Sequence, residues 1–267
     1  MNLINGDCLI ELKKLKDKSI DFVYLDLPYG QTACAWDVKL DHTELWVELK
    51  RIAKNDRTPF FFSCTTKFGF ELYNTAPKGW FRWDLVWEKN RAAGFLNAYK
   101  LPMRKHEMVY CFAKKTPEYD VSSHSEFIEE TGRNKEHKIE TYGKKGQKCV
   151  NSKTHKDPLP TSVLPPQDIP SSWCKYKLDE GINHRTSKPI KLMEFLLKYW
   201  SKEGDTILDP TAGSGSMGVA CMNMNRKCIL IEKDPDIFAI MKDRLDKHSR
   251  GEKVIIKPKK KPKKLSK

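Results

Sequence analysis

An α/β fold with a largely parallel sheet and helices on both faces is what this sequence predicts, and three observations carry the prediction. Apolar periodicity switches repeatedly between short buried-strand runs and helical stripes. Two of the strand-like runs, IDFVYL and TIL, end directly on polar turns, DLPYG and DPTAGSGSMG. The second turn is followed by a helical stretch and then by a strand ending on an acid, a β-turn-α-β-acid order typical of nucleotide-binding sheets.

The elements follow in order. Asn2 to Asn5 precede Asp7, which can cap a helix carrying Leu9, Leu12 and Leu15. Ile20 to Leu25 reads as a buried strand ending at Asp26. A helix through Glu44 to Lys54 comes before the strand Pro59 to Ser63, and Lys67 to Thr75 is helical again. Trp80 to Trp87 and Glu107 to Ala113 are two further strands. From about Lys114 to Asn183 the sequence is charged, Ser/Thr-rich and Pro-rich, with no sustained period. A stretch that long without regular structure points to a functional insertion. Order resumes with Ser187 as a cap and Pro189 in the first turn of a helix whose stripe is Ile190, Met193, Leu197 and Trp200. Gly204 stops it. Strand Thr206 to Leu208, helix Ser214 to Met224, strand Lys227 to Ile231 and helix Pro235 to Asp246 complete the chain.

Composition narrows the functional classes. With 267 residues, 39% of them hydrophobic, a single well-filled core is attainable without disulfides. No apolar run is long enough to span a membrane, and the N-terminus lacks a secretory signal pattern, so a cytoplasmic location is expected. The eight cysteines are scattered without zinc-ligand spacing, which predicts reduced thiols and no metal. The net charge of +14 points to a polyanionic partner. Half of that excess lies in residues 251–267, where eight lysines accompany one glutamate. That tail reads equally as a solubilising end or as a non-specific nucleic-acid arm.

Asp209-Pro-Thr-Ala-Gly-Ser-Gly-Ser-Met-Gly218 is the first candidate site. Its glycines let the backbone approach a ligand, and the following helix start offers unpaired N–H groups. Gly213, Gly215 and Gly218 satisfy G-x-G-x-x-G, and Glu232 closes the next strand where it could accept from ribose hydroxyls. Asp209 would repel a pyrophosphate, so the site suits a cofactor with an ammonium or sulfonium charge, S-adenosylmethionine rather than NAD. The alternative is a tight structural turn with a helix cap.

The second is Asp26-Leu-Pro-Tyr-Gly30. It could be a capped turn and nothing more. Against that, a carboxylate, a carbonyl ahead of a proline and an aromatic ring stand within four residues. A nucleobase amine needs two acceptors, and an extruded base needs a ring to stack on.

These two motifs together resemble the DNA amino-methyltransferases that use S-adenosylmethionine, in the permuted order with the catalytic motif before the cofactor loop. The family's motif is Asp/Asn/Ser-Pro-Pro-aromatic; Asp26, Pro28 and Tyr29 match, while Leu27 replaces the first proline and keeps its carbonyl. Asn5-Gly-Asp7 resembles the segment near the cofactor adenine, and His184-Arg-Thr-Ser-Lys-Pro189 the wall at its methionine end. The resemblance implies a mixed seven-stranded sheet. It implies catalytic roles for Asp26, Leu27, Pro28 and Tyr29, and a cofactor lining of Asp7, His184, Thr186, Lys188, Asp209, Thr211, Gly213, Gly215 and Glu232.

The implied reaction is site-specific methylation of double-stranded DNA at adenine N6, in a restriction-modification setting. Cytosine N4 is the near alternative, because the Asp form of the motif resembles the adenine enzymes more. Lys89, Arg91, Arg104 and Lys105 bracket NRAAGFLNAYKLPMRK, which suits a DNA-facing loop. The expected layout is a catalytic half at 1–113, a target-recognition insertion at 114–183, a cofactor half at 184–250 and a basic tail at 251–267. Many members of that family dimerise, so the resemblance allows a homodimer, although the sequence carries no interface signature. RNA or protein amide methylation, an NAD-dependent oxidoreductase and a catalytically dead DNA-binding module are the competing readings.

Overall fold

Eight strands among the described residues form one mixed sheet in the order β1-β8-β7-β2-β3-β5-β4-β6. The structure is a computed structural model that describes residues 1–31, 37–122, 160–164 and 187–252. The strands are β1 (Asn2–Asn5), β2 (Phe22–Leu25), β3 (Phe60–Cys64), β4 (Phe81–Ala93), β5 (Arg104–Phe112), β6 (Val163–Leu164), β7 (Thr206–Asp209) and β8 (Lys227–Glu232). From β1 across to β3 every pairing is parallel; β3–β5 and β4–β5 are antiparallel. The helices are α1 (Cys8–Leu12), α2 (His42–Ile52), α3 (Thr66–Thr75), α4 (Ile190–Trp200), α5 (Ser216–Asn223) and α6 (Pro235–Ser249).

Side-chain alternation along the strands builds two cores. Phe22 and Tyr24 of β2 face one core with Phe61, Leu230 and the buried residues of α4, α5 and α6. Val23 and Leu25 face the other, with Phe60, Phe62 and the apolar stripes of α1, α2 and α3. All four β2 side chains are buried, as expected for a central parallel strand covered on both faces. The helix starts are capped locally. Asp41 accepts from Thr43 and Glu44, Thr65 from Phe68, and Asp234 from Asp236 and Ile237 ahead of Pro235.

The α/β class holds, with eight strands rather than seven. The extra one, β6, pairs in parallel with β4. It lies in the segment expected to be an insertion, where two residues are too few to show a period. β4 runs to Ala93, beyond the expected Trp87, because its polar half pairs with Arg104 to Glu107 in a hairpin rather than burying an alternating face. At α4 the expected cap is displaced: Pro189 is itself the cap residue, and Ser187 contacts Ser214 instead. α5 starts at Ser216 because Gly215, at φ +82°, is not helical.

Close packing separates residues 1–118 and 162–267 from a smaller unit, Tyr119–Thr161. Of that smaller unit the structure describes residues 119–122 and 160–161. The rest of the expected insertion, His184, Thr186 and residues 253–267 of the basic tail lie outside the described residues. No described helix is long and apolar enough to cross a membrane.

Parallel strands place their C-terminal ends on one edge. β2 and β7 are neighbours, so Asp26 and Asp209 emerge side by side, although 183 positions of chain separate them. β5 runs opposite to β3, with Met108 facing Cys64. The start of β5 and the β4–β5 hairpin therefore rise from that same edge.

Candidate active site

The two candidate motifs meet at this edge. The Asp26 N–H donates to Thr211 Oγ1 at 3.2 Å, which joins the end of β2 to the turn after β7. Tyr29 donates its hydroxyl to Asp26 Oδ1 at 3.0 Å, and its ring packs on Phe68 with centroids 4.8 Å apart. Burial, reinforced by the Asp26 charge, pushes the Tyr29 phenol well above its ordinary value, so the hydroxyl remains a donor. Leu27 is buried. Behind the motif, Asp37 accepts from the Gly30 and Gln31 N–H groups, both at 2.8 Å, and closes the turn.

Lys188, just ahead of α4, reaches into the same place. Its Nζ donates to Asp26 Oδ2 at 2.6 Å and stands 3.5 Å from Glu107 Oε2. Glu107 also accepts from Lys89 at 2.6 Å through Oε1. These four side chains form an alternating chain of charges: Lys89, Glu107, Lys188, Asp26. Burial alone would lower the Lys188 ammonium, but Asp26 and Glu107 outweigh it and the pKa is raised. Burial likewise pushes Glu107 up, yet Lys188 and Lys89 prevail and hold it below the ordinary value. Opposite charges in a low-dielectric site keep one another ionised.

Along the edge the glycine-rich turn is braced from two sides. Gly213 N–H donates to Glu232 Oε2 and Asp234 N–H to Glu232 Oε1, each at 2.9 Å. A carboxylate has about four acceptor positions, so Glu232 retains capacity for a diol. From below, Arg244 of α6 donates to Ser214 O and Oγ at 3.0 and 3.1 Å. Gly215 closes the turn, and a Cβ there would sit 2.8 Å from Met241 Cγ. No side chain caps the start of α5, which leaves its first N–H groups available to a ligand. Asp209 is buried and accepts from Thr211 N–H at 3.1 Å. Burial raises its carboxyl well above the ordinary value, and no cation pairs with it among the described residues. At the far end Asp7 caps α1 by accepting from Leu9 and pairs with Lys233 at 3.1 Å.

The edge thus collects Asp7, Lys188, Asp209, Thr211, Gly213, Gly215 and Glu232 with the Asp26–Gly30 motif. The expected DNA-facing cations are placed differently from one another. Lys89 points into the charge chain, Lys105 pairs with Glu88 at 2.7 Å, and Arg104 is exposed. The Arg91 side chain lies outside the described ones. Between them the hairpin tip exposes Phe95, Leu96, Tyr99, Leu101 and Met103. Sequence reasoning missed Glu107 and Arg244. A carboxylate heading the otherwise apolar strand EMVYCFA was the available signal for Glu107. Arg244 had none, since a basic residue on a terminal helix is ordinarily solvated.

Comparison with known proteins agrees with this arrangement. The N6/N4 DNA methylase family model matches residues 20–243. The DNA adenine methyltransferase YhdJ of Escherichia coli strain K12 is 27% identical over 99% of this chain and 90% of its own length. Among solved structures, the complex of M1.HpyAVI with SAM superposes with a TM-score of 0.57 at 20% identity, covering 91% of this chain and 99% of that one. The cytosine-N4-specific PvuII DNA methyltransferase gives 0.60 at 17% identity, covering 91% and 85%. A family match across this much of the sequence, with the Asp26–Gly30 and glycine-rich motifs side by side on one sheet edge, means that the chain belongs to the N6-adenine/N4-cytosine DNA methylase family.

Proposed function

We propose that this DNA methyltransferase transfers the methyl group of S-adenosylmethionine to adenine N6 in double-stranded DNA, with the target base turned out of the helix. The observation that carries the reading is the junction of Asp26 with Thr211 at 3.2 Å, which puts an amine-binding carboxylate beside the glycine-rich turn. The donor set suits S-adenosylmethionine: Glu232 for the ribose diol, unpaired α5 N–H groups, and the buried Asp209 for a cationic centre.

A purine amine is a poor nucleophile while its lone pair is delocalised into the ring. Asp26 and the Leu27 carbonyl would accept its two hydrogens and favour a tetrahedral nitrogen, while Tyr29 supplies the stacking face. S-adenosylmethionine, when bound, would supply an electrophilic methyl that N6 takes in one displacement, the carbon–sulfur electron pair staying with sulfur. Asp26 would accept the proton that the alkylated nitrogen must lose. DNA approaches along the β4–β5 hairpin, with Arg91, Arg104 and Lys105 near phosphates, and Lys89 at its inner end. A homodimer belongs to the same reading on resemblance alone.

Cytosine N4 is the second reading, favoured by the fold shared with the PvuII enzyme. Mass spectrometry of nucleosides from DNA treated with the protein is expected to show N6-methyladenine; N4-methylcytosine in its place would reject the adenine assignment.

Asp209 gives a pH-dependent expectation. Burial keeps its carboxyl protonated above the ordinary range, and a bound cation favours the ionised form. Cofactor binding should therefore release a proton, and affinity should rise with pH until Asp209 ionises without help. Calorimetry of S-adenosylmethionine binding in buffers of different ionisation enthalpy measures that proton directly, and proton uptake would contradict the assignment.

A further inference from the structure

Lys188 has two carboxylates within reach and a full hydrogen bond to one of them. Its Nζ lies 2.6 Å from Asp26 Oδ2 but 3.5 Å from Glu107 Oε2. Glu107 Oε2 is buried and makes no hydrogen bond among the described residues. The other oxygen of Glu107 is held by Lys89 at 2.6 Å, so the side chain is fixed with Oε2 in a long ion pair to Lys188 in place of a full hydrogen bond. A buried carboxylate oxygen held that loosely is costly and rarely kept without cause.

The chemistry at Asp26 supplies a cause. An ammonium on Asp26 Oδ2 occupies an acceptor that the base amine needs. It also opposes the positive charge that grows on the amine nitrogen as the methyl arrives, because like charges at contact distance repel strongly in a low-dielectric site. We infer that Glu107 is a positioning residue that draws Lys188 away from Asp26 when the target base enters, so that Asp26 is freed for the amine while Lys188 stays paired. The inference rests on the proposed amine methylation, but it holds for adenine N6 and cytosine N4 alike. Lys188 holds Asp26 in place in the empty site; Glu107 is its second seat. The shift needed is small, since both oxygens already lie within 3.5 Å of the same nitrogen.

Steady-state methylation by the full chain with Glu107→Gln and Glu107→Asp tests this. Removing the charge leaves Lys188 on Asp26. For Glu107→Gln kcat is expected to fall about 10- to 100-fold, while KM for S-adenosylmethionine and DNA, and S-adenosylhomocysteine affinity by calorimetry, change less than about threefold. Glu107→Asp keeps the charge and should recover kcat to within about fivefold of the unmodified protein. In a Lys188→Met background the Gln substitution should change kcat by less than about twofold. Unchanged kcat in Glu107→Gln, equal losses in the Gln and Asp variants, or a full further loss on top of Lys188→Met would each overturn the inference. Asp26→Ala run in parallel separates the two levels: if it leaves incorporation unchanged, the amine-methylation reading itself fails, whatever Glu107 does.

Discussion

Asp26→Ala is expected to lower methyl incorporation into DNA by at least about 10³-fold while changing S-adenosylhomocysteine affinity by less than about threefold. The size follows from the several functions that meet on one carboxylate. It accepts from Tyr29 at 3.0 Å and from Lys188 at 2.6 Å, and it is the acceptor proposed for the base amine and for the proton it sheds. Losing positioning and proton transfer together removes several powers of ten. Cofactor binding should survive because the hydrogen bond from Asp26 to the glycine-rich turn runs from its backbone N–H to Thr211, which alanine retains. Alanine also strips Lys188 of its nearer partner, and an unpaired buried charge is destabilising. Asp26→Asn is therefore the companion variant, since its amide oxygen can still receive Lys188. A radiolabelled methyl-transfer assay alongside calorimetry reads both quantities; incorporation that persists in both variants would remove Asp26 from the chemistry.

The second large effect is expected at Glu232. Its two oxygens receive the Gly213 and Asp234 N–H groups at 2.9 Å, so one side chain ties the glycine-rich turn to the turn before α6. Glu232→Ala should weaken S-adenosylhomocysteine binding by about 100-fold, roughly 2.8 kcal/mol at 1.4 kcal/mol per tenfold. That figure combines the lost ribose acceptor with two backbone donors left without their partner. Glu232→Gln keeps two polar atoms but only one acceptor, and should fall between the two. Isothermal calorimetry decides the matter, and an affinity within threefold of the unmodified protein in Glu232→Ala would place the ribose elsewhere.

Much of this site was readable before any coordinates, for a physical reason. DLPYG and DPTAGSGSMG are local: each follows a strand, and its chemistry depends on neighbours within a few residues. Asp26, Tyr29, Gly213 and Glu232 could be named from such windows. The helix cap at Asp7 is local in the same sense, because a cap acts on amides two or three positions away. The hairpin was harder. β4 beyond Trp87 is held by pairing with β5 rather than by a buried face, so hydrophobic period gave no sign of it. Ser187 was misread as a cap because its actual partner, Ser214, lies 27 positions away.

The amino-acid order by itself determined the α/β class, the two polar turns and the kinds of chemistry each can support, because hydrophobic period and turn stereochemistry act over a few residues. Only the tertiary structure decided that Lys188 meets Asp26 across 162 positions of chain and that Glu107 stands behind both. Those contacts arise from the adjacency of β2 with β7 and from the register that sets Trp87 opposite Glu107. Strand order and register are settled by the packing of the whole sheet against its two layers of helices, and no short stretch of sequence contains that information.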